Sequence, residues 1–146
     1  MFEFFFLLLH VPIFPAWALL IVAPGWIWTE KLVHSGLIPL AMGSVYAMLL
    51  FAGVVLGQSD PEAGMSSLPA VMALFSHPVG TLTGWAHFLV FDLFVGAWIA
   101  RDARALGMGH GGTVPCLVLG LVFGPLGLLA HVLRKAYAGK GWRFAG

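Results

Sequence analysis

Charge is the scarcest property of this chain. Of its 146 residues only 9% are Asp, Glu, Lys or Arg, seven basic against six acidic, while 60% are hydrophobic and the mean hydropathy is +0.97. So little charge cannot cover a soluble surface around one core. A formal net charge of +1 supplies neither a basic stripe for nucleic acid nor an acidic tail. The single cysteine, Cys116, excludes an internal disulfide and a cysteine-based metal cluster, and its apolar setting reads as packing. Phosphate-cradling loops, a G-x-S-x-G turn and a nucleophilic Cys beside a base are also missing, which removes nucleotide and hydrolase readings. There is no internal repeat and no low-complexity tract. The start, Met1-Phe2-Glu3-Phe4-Phe5-Phe6, has no positive n-region and no small-residue cleavage site, so it is read as a retained segment.

What the chain does have is long apolar runs. A bilayer core of roughly 30 Å needs about 20 mainly apolar helical residues. Runs at about residues 4–29, 37–57, 79–101 and 114–134 meet that length. They predict an all-α integral membrane bundle of four transmembrane helices in a single domain, 1–146. Glu30-Lys31, Gln58-Ser59-Asp60, Arg101-Asp102-Ala103-Arg104 and Arg134-Lys135 mark the water interfaces, and Trp26, Trp28, Trp85, Trp98 and Trp142 stand near them as anchors. Pro12, Pro15 and Pro24 predict a kinked first crossing. Between the second and third crossings, Leu68 to Phe75 predicts a short amphipathic segment along the membrane surface. An even number of crossings places both termini on one side. Arg134, Lys135, Lys140 and Arg143 there outnumber Lys31, Arg101 and Arg104, which points both termini to the cytoplasm.

Ionisable groups inside an apolar span carry a cost, so they are the first candidates for function. His87 falls about 12 Å deep in the third crossing and Asp92 about 7 Å deeper. A fourth crossing antiparallel to the third sets His131 opposite Gly84, close to His87 in depth, and His10 lies in the same leaflet. His87 and Asp92 are about 140° apart around the helix, so one faces a ligand while the other orients a neighbour. Structural readings stand beside these: Asp92 locking two helices, and His10 bonding a carbonyl freed by Pro12. Tyr46 lies near the middle of the second crossing, and its hydroxyl needs a partner if buried, with Asp92 at comparable depth the natural candidate. Trp85, Phe88, Phe91 and Phe123 each read as lipid-facing bulk, but together they suit a long flat polyene. No two histidines stand three or four apart on a helix as helical di-iron sites require, so no metal and no cofactor is expected. The glycines at 43, 53, 84, 96, 120, 124 and 127 allow close helix approach.

Phe75-Ser76, Trp85-Ala86-His87-Phe88-Leu89-Val90-Phe91-Asp92-Leu93-Phe94, Asp102, Cys116-Leu117 and Phe123-Gly124-Pro125-Leu126-Gly127 leading to His131 form a pattern that resembles the neoxanthin synthase-like family, the abscisic-acid-deficient-four type of plant plastids, which also has bacterial members. Weaker matches at Pro15, Ala23-Pro24, Pro39, Gly43 and Tyr46 extend the resemblance over nearly the whole chain. It implies a carotenoid isomerase that opens an epoxide and forms an allene without net redox, with a carotenoid or related polyene or retinoid as partner. That chemistry asks for an acid at the epoxide oxygen and a base at a nearby carbon. It implies His87, Asp92 and His131 as catalytic residues and Tyr46, Trp85, Phe88, Phe91, Phe123 and His10 as the substrate wall. A non-catalytic carotenoid-binding or scaffold subunit and a small proton-linked transporter remain as alternatives. No Arg- and Ser-rich transit segment precedes the first run, which points to a bacterial inner membrane or a mature organelle form, and a homo-oligomer would help enclose a long polyene.

Overall fold

A computed structural model describes residues 2–143; Met1 and the last three residues, which belong to the expected domain 1–146 and its retained start, lie outside the described residues. Among the described residues there are helices and no strands. In chain order they are α1 (Phe2–Val22), α2 (Leu37–Val54), α3 (Leu68–Ser76), α4 (Pro78–Ala105), α5 (His110–Phe123) and α6 (Pro125–Tyr137), with a π-helical turn at Thr29–Val33 before α2.

Three stretches are long and apolar enough to cross a membrane: Phe2–Val22, Thr29–Val54 and Pro78–Ala105. Each is apolar around most of its circumference, yet only one stripe is buried. In α1 the stripe is Leu9, Ile13, Ala16, Trp17 and Leu20, spaced three or four apart as one helical face requires. Phe4, Val11, Phe14 and Val22 stay exposed, which suits a lipid solvent. The first helix stops at Val22, earlier than expected, because Pro24 disfavours helical backbone in the residue before it. The buried Thr29 hydroxyl donates to the Ala23 carbonyl at 2.6 Å and stitches the following turn. At α3 the amphipathic segment forms where expected: Ser67 caps it, accepting from the Ala70 amide at 3.3 Å, and Pro69 sits in its first turn.

The fourth crossing is corrected. Residues 114–134 are not one helix, because Gly124 takes φ +44°, a conformation suited to glycine, and Pro125 starts a new helix. The 14-residue α5 reaches about 21 Å, short of a bilayer core. The 13-residue α6 folds back along it, with Gly127 against Gly120 where no side chain on Gly127 would fit. Arg134 at the end of α6 bonds the Gly109 carbonyl and the Thr113 hydroxyl at the start of α5, at 3.0 and 2.9 Å. The two arms are a hairpin that enters and leaves on one side. Arg134 and Lys135 therefore join Arg101 and Arg104 instead of marking the opposite interface.

The chain clusters into two compact units, residues 1–12 with 38–90, and residues 13–37 with 91–146. All seven lysines and arginines fall in the second.

Candidate functional site

In the first unit, α2, α3 and α4 wall a cavity of about 440 Å³. Its corner is set by two glycines of α4. Gly80 lies against the Leu74 carbonyl and Gly84 against the Phe75 ring, so α3 turns sharply into α4 with no side chains to hold it off. The wall is mostly aliphatic and aromatic, and its two titratable groups are Tyr46 of α2 and His87 of α4. Their rings stand 6.0 Å apart at 46°. Two further lining hydroxyls are committed to backbone: Thr83 donates to Val79 at 2.7 Å and Ser59 to Gly53 at 3.0 Å. His87 is exposed at the wall and Tyr46 is half-buried. Leu50, Val54, Phe75 and Phe88 line the cavity and are also exposed, so the cavity is open and apolar where it meets its surroundings.

Of the residues singled out from sequence, Tyr46, His87 and Phe88 meet at this cavity. His10 and Trp85 lie in the same unit but are not part of its wall. Trp85 Nε1 donates to His10 Nε2 at 3.2 Å, and His10 Nδ1 donates to the Phe6 carbonyl at 2.6 Å. The carbonyl is therefore Phe6's, four residues back, not one freed by Pro12. Nε2 of His10 thus ties α1 to α4, while Nδ1 holds the ring against its own helix.

Phe91, Asp92, Phe123 and His131 fall in the second unit. Phe91 and Phe123 are exposed. The half-buried Asp92 carboxylate occupies the space a Gly124 side chain would need, at the start of α6. A negative charge there is favoured by the α6 dipole. His131 is not opposite Gly84 as the depth count predicted: it is wholly buried against the last turns of α4. Its Nε2 donates to Asp102 Oδ2 at 2.8 Å, and its ring meets Trp98 edge-on at 5.4 Å. Lys135, one turn on, reaches both oxygens of the same carboxylate at 2.9 and 3.1 Å, bonds the Arg143 carbonyl at 2.9 Å and lies over the Trp98 ring.

Sequence reasoning missed this buried Asp102–His131–Lys135 centre. Asp102 and Lys135 read as interface markers because they sit beside Arg101 and Arg134. The signal that would have exposed the pair is Gly124-Pro125, a turn dipeptide inside the supposed fourth crossing. Above the centre, the Trp17 indole of α1 is buried against Gly96 of α4 and Gly120 of α5, where side chains on either glycine would collide with it or crowd it. Among the described residues no three His, Cys, Asp or Glu side chains converge as a metal ion would require.

Helices throughout the described residues, three of them apolar and long enough to cross a membrane, a hairpin tied down by a buried ion pair, and an apolar cavity bearing His and Tyr define a small helical membrane protein. It belongs to the ABA4-like family, described as ABA DEFICIENT 4-like, whose family model matches residues 4–131. The chain is similar to Protein ABA DEFICIENT 4, chloroplastic, of Arabidopsis thaliana, at 25% identity over 128 residues, 85% of this chain and 57% of that protein. It thus spans little more than half the length of this curated relative. No solved structure matches the chain.

Proposed function

We propose that this protein is a membrane-embedded carotenoid isomerase that acts on the ring-bearing end of its substrate in the cavity of the first unit. The observation that carries the reading is the pairing of His87 with Tyr46, 6.0 Å apart, in the wall of an otherwise apolar cavity. A volume of about 440 Å³ lies within the range of small-molecule sites and suits one end group, while the open side leaves the polyene among lipid tails. Family membership supports a carotenoid over other apolar ligands.

The chemistry follows from the two groups. His87 takes a proton from a vinylic carbon next to an end-group epoxide. The released electron pair forms the second double bond of an allene as the adjacent carbon–oxygen bond breaks. The oxygen, still held by its other carbon, receives a proton from the Tyr46 hydroxyl, and one proton exchange between the residues restores both. No atom is gained or lost. General acid–base help of this kind contributes about 10²–10⁴-fold. Water exclusion by the apolar wall protects the opening epoxide from hydrolysis. Asp92 and His131 take positioning roles in the hairpin.

The orientation is part of the proposal. A count of three crossings removes the even-number argument that set both termini on one face. With Arg134 and Lys135 folded back, the charged end of the second unit faces the cytoplasm or its organellar equivalent.

Expression in a host that makes epoxy-carotenoids, with pigments extracted and compared with a host lacking the chain, tests the reading. An isomer of unchanged mass that appears only with the chain is expected. An unchanged pigment profile together with a colourless purified protein would overturn it.

A further inference from the structure

The second unit holds a separate cavity of about 330 Å³, lined by Pro24, His34, Ala100, Arg104, His110 and Thr113 among others. Its character is opposite to that of the first. Arg101 lies beside it, and its guanidinium donates to His34 Nδ1 at 3.4 Å. A guanidinium can only donate, so Nδ1 accepts and the proton of His34 is on Nε2, a second donor at the wall. His110 Nε2 donates to the Ile21 carbonyl at 2.8 Å, which fixes that ring in the cavity wall. Arg104 meets Glu30 at 3.5 Å, but both side chains are more than half exposed, so most guanidinium donors are not committed to a buried acceptor. With Lys135 already paired with Asp102, the wall carries Arg104, His34 and His110, with Arg101 bonded to His34 and Arg134 to Thr113, against the carboxylate of Glu30 on Arg104.

Depth is set by Trp26, Ile27 and Trp28, all exposed and next in sequence to the Pro24-Gly25 rim. Tryptophans of this kind anchor at the headgroup level. Basic pockets at that level between transmembrane helices accept anionic headgroups.

We propose that this cavity binds a phosphate-bearing anion, the headgroup of an anionic phospholipid, with Arg104 and His34 as its direct donors and Glu30 as the built-in competitor for Arg104. The assignment does not depend on what occupies the first cavity. Lipid bound here would hold the turn after α1 against the α4–α5 connection.

Native mass spectrometry of the intact protein released from detergent with phosphatidylglycerol or phosphatidylcholine tests this. Wild type is expected to retain phosphatidylglycerol in preference to phosphatidylcholine. Arg104→Gln should lower that preference about fivefold, the effect of one cationic contact near a membrane surface. Glu30→Gln should raise it, a gain that misfolding cannot imitate. A parallel arm with inorganic phosphate separates the sources: competition by millimolar phosphate without any lipid preference would overturn the lipid and leave free phosphate as the ligand. Equal retention of the two lipids by wild type and both variants, with no effect of phosphate, would overturn the site.

Discussion

His131 Nε2 donates to Asp102 Oδ2 at 2.8 Å with both side chains out of solvent, and this bond joins the returning arm of a hairpin to the end of the longest helix. It holds the imidazole of His131 against the last turns of α4. The Lys135 ammonium reaches both oxygens of the same carboxylate, so the buried acidic group has a basic partner.

Removing one member of this centre should be costly. Lys135→Met leaves the Asp102 charge without its cation and is expected to destabilise the fold by about 3–5 kcal/mol. Adding Asp102→Asn to Lys135→Met should recover most of the loss. Unfolding in mixed micelles followed by circular dichroism measures both, and an equal loss in single and double variants would contradict the pairing.

Trp17 is the largest wholly buried side chain, seated between Gly96 and Gly120. Trp17→Ala should cost about 3–5 kcal/mol through lost contacts and the cavity left behind. Gly96→Leu should be comparably damaging from the other side of the contact. The same unfolding assay reads both, and a change below about 1 kcal/mol for Trp17→Ala would show that the indole is not packed as described.

The hairpin makes a topological prediction. In a Cys116→Ser background, Lys31→Cys and Lys140→Cys should react with a membrane-impermeant maleimide from the same face of sealed vesicles. A continuous fourth crossing would put the two positions on opposite faces.

Tyr46→Phe keeps the ring beside His87 and removes the hydroxyl. Turnover is expected to fall by about 10²–10⁴-fold with carotenoid retention near wild type, as for loss of a general acid. Turnover within twofold of wild type, measured by product chromatography, would remove Tyr46 from the chemistry.

Helix positions were legible in the sequence because long apolar runs in this chain have few other uses. The start of α3 at Leu68 was legible, whereas Pro24, which reads as a kink, stands just past the end of α1. Tyr46 and His87 stand out singly, since polar residues inside apolar runs are scarce, but their meeting with Phe88 at one cavity comes from the fold. The hairpin was not legible. Hydropathy integrates over about 20 residues and passes smoothly across Gly124-Pro125, so two arms of 14 and 13 residues read as one span. The error carried forward into the depth of His131 and into the charge count at the membrane faces. The Asp102–Lys135 pair is separated by 33 residues and is brought together by that fold-back, so no local pattern announces it.

Incubating the purified protein in nanodiscs with an epoxy-carotenoid, and following isomer formation for wild type and His87→Ala, decides whether His87 is the base. The prediction is conversion by wild type to an allenic isomer of identical mass, and loss of conversion in His87→Ala with the visible absorption of bound carotenoid preserved. Conversion by His87→Ala at the wild-type rate would contradict it.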